Sequence, residues 1–453
     1  MSSLWFETAL LAEGWASDVR LSLEAGRIVA IDADTAPRPE DERYGVAIPG
    51  LCNVHSHAFQ RAMAGLTERR GQSEDDFWTW RELMYRFLDR LDPEDIEAVA
   101  AQAYVEMLQT GFTRVGEFHY LHHDPAGEPY VDLGETAGAI AAAAADTGIG
   151  LTLLPVFYAH SDFGGAEPSP GQRRFLNSPD RYADLLEASR RAVSHLPDAN
   201  VGAAPHSLRA VTPDELSQVC AMARNVPIHI HVAEQAREVA DCLAWSGERP
   251  VAWLLDHADV GPSWCLVHAT HLTAQEMSAL AASGAVAGLC PITEANLGDG
   301  IFAADNYLAS GGRFGIGSDS NVLIDPAPEL RALEYALRLT RRARNILSSA
   351  DQRSTGANLF NRALKGGAQA LGQRKAALEV GASADIVALD GRHPSLYGRS
   401  GDTLLDGWVF AGSPRMVKSV WRRGEQVVRD GRHRHAGRIA MRYRRTLDKL
   451  LRG

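Results

Sequence analysis

The chain has 453 residues, of which 45% are hydrophobic and 23% are charged, and its formal net charge is -11. This length suits one large domain with a smaller appendage, and the composition is that of an ordinary globular protein. The acidic balance argues against a sequence-independent nucleic-acid binder, which needs a basic surface to release counterions. It does not exclude a locally basic pocket for an anionic substrate.

Targeting signals and the use of cysteine and lysine indicate the cellular location and restrict the possible chemistry. No run approaches the ~20 apolar residues of a membrane span, and Met1 to Glu7 lacks the basic and apolar regions of a secretory signal. The five cysteines are scattered and never form Cys-x-x-Cys, which is typical of free thiols, so we expect a cytoplasmic protein. No lysine precedes Lys365, which excludes lysine chemistry from the first 364 residues.

Strand-like and helical stretches alternate along most of the chain. A hairpin is predicted at Val19 to Leu23 and Arg27 to Ile31. Eight further strands are predicted at Gly45–His55, Thr113–Phe118, Leu151–Val156, Val201–Ala204, Ile228–His231, Cys265–His268, Ala285–Leu289 and Arg313–Gly317. The predicted helices are Pro93–Gln109, Glu135–Thr147, Arg181–His195, Pro213–Arg224 and residues 250–256, 273–283 and 327–345. Helices between successive strands predict parallel pairing and an α/β fold, a (β/α)₈ TIM-like barrel, with a doubly wound open sheet as the alternative.

The two ends of the chain have a different pattern. Strands are predicted at Asp385–Leu389, Met416–Trp421 and Gln426–Val428. Neither end has enough strands for a sheet of its own, so we expect both to form one small β-sandwich domain. The predicted domains are residues 1–46 and 381–435 for this β domain, 47–380 for the barrel, and 436–453 for a solvated helical tail.

Histidine pairs follow the predicted first and fifth strands. His55 and His57 lie two residues apart, so they project to the same side and can reach one metal ion, although a lone His-x-His is weak evidence. His231 ends the fifth strand, with Glu234 on the next loop. His268 ends the sixth strand and Asp319 follows the eighth. Because the carboxyl ends of barrel strands gather on one rim, these positions together favour a metal site there.

The run Pro49-Gly50-Leu51-Cys52-Asn53-Val54-His55-Ser56-His57 resembles the opening motif of the amidohydrolase superfamily. His231, His268 and Asp319 fall where that family places its other site residues. The run Gly381-Ala382-Ser383-Ala384-Asp385-Ile386-Val387 is similar to the family's return into its small β domain. The resemblance covers essentially the whole chain and implies a metal-dependent hydrolase.

The resemblance also implies a ligand set. Family members with two metals carry a modified lysine after the fourth strand, and Val201 to Pro205 contains none. A single-metal site with His55, His57, His231 and Asp319 as ligands is therefore implied. Zn²⁺, one per subunit, suits three imidazoles and a carboxylate with an open water position. His229 lies deeper on the same face and is assigned to packing or support.

The expected chemistry is hydrolytic deamination. Zinc lowers the pKa of bound water from ~15.7 to ~7 and so provides hydroxide at neutral pH. Asp319 or His268 accepts the proton of the water, and the sequence does not decide between them. Glu234 carries a proton to the departing nitrogen, as the His-x-x-Glu spacing from His231 implies by resemblance, whereas a solvated loop carboxylate is the alternative.

Three further runs resemble the formimidoylglutamate iminohydrolases (deiminases), a histidine-degrading family of this superfamily: Gly116–Tyr120, Pro205–Arg209 and Cys290–Gly300. The implied substrate is a small dicarboxylate, for which arginine forks are the best donors. By resemblance, the substrate contacts are Gln60, Arg81, Tyr120, His206 and Arg209. Arg81 lies in the long loop-like stretch 58–92, where we expect a lid, although Trp78 to Glu82 also fits a surface helix. The family further implies a homodimer.

Three alternative functions remain open at this stage. A deaminase of a purine, pyrimidine or S-adenosylhomocysteine-like base would have an aromatic clamp in place of two arginines. Another amidohydrolase would act on a different acidic amidine or guanidine. A non-catalytic scaffold with this fold would be expected to have lost metal ligands, and this chain retains all of them.

Overall fold

The structure is a computed structural model that describes residues 2–68 and 77–452. Its first four strands are β1 Ser2–Leu11, β2 Gly14–Glu24, β3 Arg27–Asp32 and β4 Glu42–Pro49. The next nine are β5 Leu51–Ser56, β6 Phe112–His119, β7 Gly150–Phe157, β8 Asn200–Val201, β9 Ala204–Pro205, β10 Ile228–Val232, β11 Trp264–His268, β12 Val286–Leu289 and β13 Arg313–Ile316. The last four are β14 Ile386–Leu389, β15 Val417–Arg422, β16 Glu425–Arg429 and β17 Arg432–His433.

The helices of the described residues surround or follow these strands. They are α1 Phe77–Leu88, α2 Pro93–Thr110, α3 Glu135–Thr147, α4 Pro179–Val193, α5 Pro213–Met222, α6 Ala236–Ser246, α7 Pro250–His257, α8 Ala274–Ser283, α9 Pro291–Leu297, α10 Ala304–Ala309, α11 Pro326–Arg341, α12 Thr355–Ala370, α13 Asp402–Ala411 and α14 Ala436–Arg452. Short 3₁₀ helices occupy Ala58–Met63, Pro170–Gln172 and Pro414–Met416. Among the described residues, no helix is both long and apolar enough to cross a membrane.

Strands β5 to β13 form a closed parallel barrel. Their order is β10-β11-β12-β13-β5-β6-β7-β8, and β9 also pairs with β7. Parallel bridges from Ala203 to Ile228 and from Ser207 to His231 join the fourth strand position to β10. Almost every strand residue is buried because helices cover the outer face and side chains fill the interior. The predicted (β/α)₈ barrel is confirmed.

Local sequence signals place several helix ends. Asp92, Thr212 and Thr273 each cap a helix through a reciprocal pair with the carboxylate three residues later, which satisfies exposed backbone N–H groups. Gly111 ends α2 with φ of 108°, a conformation that residues with a Cβ atom rarely adopt. These short-range rules account for the good agreement of most predicted barrel helices with the observed bounds.

The remaining eight strands form one mixed sheet of order β17-β16-β15-β14-β4-β1-β2-β3. The two chain ends meet where β4 pairs antiparallel with β14. The sheet curls over an apolar core, so the rings of Phe6 and Trp421 lie 6.2 Å apart although two strands separate β1 from β15. A small β domain built from both ends is therefore present, as the strand count predicted.

The predicted single strand Gly45–His55 is wrong, because it is two strands in different sheets. The strand is interrupted at Gly50, where a Cβ atom would lie 2.2 Å from the Thr113 side chain. The Gly50 N–H donates to the Asp385 carbonyl of the β domain, and the Leu51 N–H donates to Gly111 beside the barrel. Gly50 is thus the point at which the chain passes from one sheet to the other.

Two other expectations are also corrected. The stretch 58–92 is not loop-like where it is described, since it contains a 3₁₀ helix and the twelve-residue helix α1, and residues 69–76 lie outside the described part. The tail is a helix but not a solvated one, because Ile439 and Leu450 are buried. Arg442 also pairs with Glu97 of α2 at 2.6 Å.

Arg422 joins the β domain to the barrel. Its Nη1 lies 2.5 Å from Asp385 Oδ1, and its Nη2 pairs with Asp198, which also binds Arg114 at 2.6 Å. We expect Arg422→Met to lower the free energy of unfolding by about 3 kcal/mol, because it leaves a largely buried carboxylate pair undercompensated. Urea-induced unfolding measures this change.

The control for this prediction is Arg429→Met. Arg429 pairs with Glu42 at 3.8 Å on the exposed surface of the same sheet, so its loss is expected to change stability by less than about 1 kcal/mol. Equal effects of the two substitutions would contradict a structural role for the buried pair.

Candidate active site

Four residues from distant parts of the chain meet at the carboxyl end of the barrel. One donor atom from each of His55, His57, His231 and Asp319 lies within 4.8 Å of all the others. His55 Nε2 is 3.0 Å from His231 Nε2 and 3.2 Å from His57 Nε2. Asp319 Oδ1 is 3.4 Å from both His55 Nε2 and His57 Nε2. The structure therefore brings together the four side chains proposed as metal ligands.

Hydrogen bonds turn two of these rings toward the cluster. The Nδ1 atom of His57 is 3.0 Å from the Phe118 carbonyl, and that of His231 is 3.0 Å from the His206 carbonyl. Because a carbonyl only accepts, each Nδ1 carries the proton and each Nε2 presents a lone pair to the centre. Burial lowers the pKa of His55, His57 and His231, which favours the neutral form that binds metals. Three imidazoles and a carboxylate in this arrangement fit a zinc-like ion.

A polar network holds the loop that carries Asp319 against β5, the first strand of the barrel. Asn53 Nδ2 donates to Ser318 Oγ at 2.6 Å, and Ser318 Oγ donates to Asn321 Oδ1 at 2.6 Å. The Asn321 amide then donates to Ser56 Oγ and to the carbonyl of His57. Asp319 and Asn321 both have positive φ, 44° and 56°, a strained conformation that this network maintains.

Two of the three predicted proton carriers, His268 and Glu234, lie beside the cluster, and the third, Asp319, is part of it. His268 Nε2 is 3.7 Å from both Glu234 Oε1 and Asp319 Oδ2. Burial raises the pKa of Glu234 to about 7, so that this carboxyl group can hold or release a proton near neutrality. Burial opposes the charge of His268, but the surrounding carboxylates outweigh it and raise its pKa.

All five predicted substrate contacts line one cavity with these groups. The cavity is bordered by His57, His231, Asp319, Glu234 and His268, and also by the five contacts Gln60, Arg81, Tyr120, His206 and Arg209. Gln60 Nε2 donates to the Tyr120 hydroxyl at 3.2 Å. The guanidinium carbons of Arg81 and Arg209 lie 4.4 and 5.6 Å from the Trp78 ring centre. Arg81 lies on helix α1, as the alternative to a loop predicted. It also lines the cavity, as expected of a substrate contact.

Three buried carboxylates that sequence analysis did not single out brace this rim. Glu294 Oε1 is 3.2 Å from His268 Nδ1, and Glu238 accepts the Glu234 N–H at 3.1 Å. Glu117 Oε1 accepts the Ala58 N–H at 2.7 Å, next to His57. Glu117 and Glu294 lie within runs that were quoted for their family resemblance, so the sequence pointed to these runs but did not assign a role to either glutamate. Glu238 follows Glu234 by four residues and had no such signal.

The cavity also contains aromatic residues without a predicted role. Tyr85, Tyr158 and Phe175 line it, and the Tyr158 hydroxyl accepts from Gln172 Nε2 at 2.7 Å. His229, which was assigned to support, hydrogen bonds through Nε2 to the Ala370 carbonyl at 2.9 Å and takes no part in the four-residue cluster.

Comparison with known families agrees with this geometry. Residues 46–427 match the model described as "Amidohydrolase family". The chain belongs to the amidohydrolase family. Residues 1–45 match a second model, "Formimidoylglutamate deiminase HutF, N-terminal domain". A curated relative named formimidoylglutamate deiminase, from Pseudomonas aeruginosa, is 52% identical over 456 aligned residues and covers 100% of both chains. The sequence resemblance to this family is confirmed.

Other relatives and solved structures extend the comparison. An amidohydrolase from Brucella melitensis has a TM-score of 0.97 at 53% identity, with 100% of both chains covered. A 5-methylthioadenosine/S-adenosylhomocysteine deaminase from Natronomonas pharaonis is 29% identical and covers 91% of this chain and 89% of its own. A zinc-bound adenosine deaminase from Xanthomonas campestris, with a TM-score of 0.82 at 22% identity over 100% of this chain and 98% of its own, shares the fold.

Proposed function

We propose that this enzyme hydrolyses N-formimidoyl-L-glutamate to N-formyl-L-glutamate and ammonia. The observation that carries the proposal is one cavity lined both by His57, His231 and Asp319 of the four-residue cluster and by two arginines, Arg81 and Arg209. A hydrolytic centre beside two cationic forks suits a small amidine that carries two carboxylates. The full-length relative named formimidoylglutamate deiminase, at 52% identity, supports this substrate over a nucleobase.

The same proposal assigns the cluster one zinc ion per subunit. His55, His57, His231 and Asp319 would hold the ion, since their donor atoms meet within 4.8 Å. Zinc there supplies the Lewis acidity that makes water nucleophilic at neutral pH. Metal analysis of purified protein tests identity and stoichiometry. The homodimer, the cytoplasmic location and a role in histidine degradation are further expectations from the family, and light scattering tests the first of them.

The side chains can then move the protons of the reaction. When the water oxygen attacks the amidine carbon, Asp319 or His268 accepts the first proton that water loses, since both side chains line the cavity next to the cluster. Glu234 donates a proton to the nitrogen that leaves. Glu234, then ionised, takes the hydroxyl proton of the adduct and passes it to the same nitrogen, so the carbon–nitrogen bond breaks, ammonia departs and the water oxygen becomes the formyl oxygen of the product. The proton held by Asp319 or His268 returns Glu234 to its acid form, and both protons of the water are accounted for.

Ammonia release from a panel of substrates tests this function. The panel contains N-formimidoyl-L-glutamate, formimidoyl derivatives of glycine and aspartate, a guanidino analogue of glutamate, adenosine and S-adenosylhomocysteine. We expect the highest kcat/KM for formimidoylglutamate and none for the nucleosides. Preferred turnover of a nucleoside would overturn the proposal, and a metal-free, stable and inactive protein would favour a scaffold.

Arg209→Met is expected to raise KM for formimidoylglutamate by about 10- to 100-fold, because one charge-assisted pair to a carboxylate is lost. The zinc content should stay the same, since Arg209 is outside the metal cluster. Steady-state kinetics and metal analysis measure both quantities.

Arg237→Met is the matched control for Arg209→Met. Arg237 lies 4.6 Å from the same Trp78 ring, but it is exposed and does not line the cavity. Its substitution should leave KM near the wild-type value. Unchanged KM in the Arg209 variant would remove Arg209 from the substrate site.

A further inference from the structure

We infer that Glu294 is a positioning residue for His268 and sets which nitrogen of that ring faces the reacting groups. This inference rests on the proposed function, in which His268 handles a proton. Glu294 lies on α9, the short helix after β12, whereas His268 ends the neighbouring strand β11. Both side chains are buried, with 4% and 1% of their surface exposed.

The contacts divide the two nitrogens of the ring. His268 Nδ1 lies 3.2 Å from Glu294 Oε1, and Nε2 lies 3.7 Å from Glu234 and from Asp319. A carboxylate oxygen accepts, so Nδ1 carries the proton of this bond and Nε2 points toward the metal cluster. A base oriented by a third group in this way recurs in many hydrolases.

The backbone that carries the ring is strained, and such a conformation persists only where the surrounding structure holds it. His268 and Ala269 have φ of 65° and 47°, in the left-handed region that side chains other than glycine rarely occupy. Glu294 is itself held, since its Oε1 also accepts the Cys290 N–H at 2.9 Å. The support for His268 is therefore anchored to the start of α9.

The residue before Glu294 braces the other candidate proton acceptor. Thr293 Oγ1 is 3.0 Å from Ser320 Oγ and donates to the Ser318 carbonyl at 3.2 Å, on both sides of Asp319. One turn of α9 thus holds both His268 and the Asp319 loop. Two adjacent residues of one helix therefore fix the relative position of the two candidate proton acceptors, His268 and Asp319.

Two substitutions separate positioning by the oxygen from an effect of the charge. Glu294→Gln keeps an oxygen that can accept from both His268 and Cys290, so we expect kcat to fall by no more than about threefold. Glu294→Ala removes the acceptor, and we expect kcat to fall by about 10- to 100-fold while KM and zinc content stay near wild type. Equal losses in both variants would overturn the positioning role.

The control is Glu276→Ala, on α8 between β11 and β12. Glu276 is a buried carboxylate that pairs with Arg249 and lies outside the cavity. If its loss lowered kcat as much as Glu294→Ala does, the effect would be general destabilisation. Should Glu294→Ala fail to fold, Glu294→Met fills the space without an acceptor and takes its place.

A second readout does not depend on turnover. Spectra of protein with ¹⁵N-labelled histidine show which ring nitrogen is protonated, and the His268 signals are those missing from His268→Gln. We expect a protonated Nδ1 in the wild type and in Glu294→Gln, and loss of that proton in Glu294→Ala. An unchanged His268 pattern in Glu294→Ala overturns the inference, whereas a wild type that leaves formimidoylglutamate intact overturns only the proposed function.

Discussion

Asp319→Asn is expected to lower kcat for formimidoylglutamate by at least about 10³-fold, because one side chain is asked both to bind the metal and to accept a proton. The carboxylate lies 3.4 Å from two imidazole nitrogens of the cluster and 3.7 Å from His268. An amide of the same size keeps the shape but loses the charge and the basicity. Steady-state ammonia release and zinc analysis measure the two consequences separately.

The control for this change is Asp325→Asn. Asp325 is buried six residues further along, where it caps α11 through the Ala327 N–H at 3.0 Å and does not line the cavity. Asparagine caps helices about as well as aspartate, so turnover should persist. An Asp319→Asn enzyme with full zinc and near-wild-type turnover would show that the site is wrongly assigned.

Glu234→Gln is expected to lower kcat by about 10²- to 10⁴-fold, the usual contribution of a general acid or base. Burial raises the pKa of Glu234 to about 7, so a fraction of the molecules holds a transferable proton at neutrality, which an amide cannot provide. Zinc content should be unchanged because Glu234 is not part of the four-residue cluster. Single-turnover kinetics with the zinc-loaded protein measure the chemical step directly.

Glu276→Gln serves as the matched control for the Glu234 variant. It makes the same chemical change at a buried carboxylate outside the cavity. Normal rates are expected for it. If Glu234→Gln also kept a normal rate, the proton to the leaving nitrogen would have to come from another group.

The position of the site was predictable because barrel strands are short, regular and parallel. Each of these strands had been indicated by a buried apolar run, and the site residues lie at or just after their carboxyl ends: His55, His57, His231, His268 and Asp319. Once the strands are parallel, their carboxyl ends share one rim, so chain positions 55 and 319 become neighbours without any further information. The 4.8 Å cluster is the spatial result of that rule.

The elements that the sequence misplaced depend on contacts between distant segments. Helix α1 belongs to a stretch predicted as a loop. Its aromatic side chains line the cavity, and this contact with distant segments is not visible in the local sequence pattern. The tail was predicted to be solvated because it is rich in arginine. In the structure, arginines of the tail pair with acidic residues of α2 and α3, among them Glu97, which the local sequence pattern does not indicate. A residue pattern indicates which face of a helix is apolar, but it does not indicate which segment packs against that face.

The sequence by itself determined the alternation of strands and helices, the family, and the choice of candidate residues for metal binding and proton transfer. These depend on local periodicity and on spacing along the chain. Only the tertiary structure decided the break at Gly50, where Thr113 leaves no room for a side chain, and the support of His268 by Glu294. Both arise because segments far apart in sequence approach within a few ångströms, and no local pattern records such an approach.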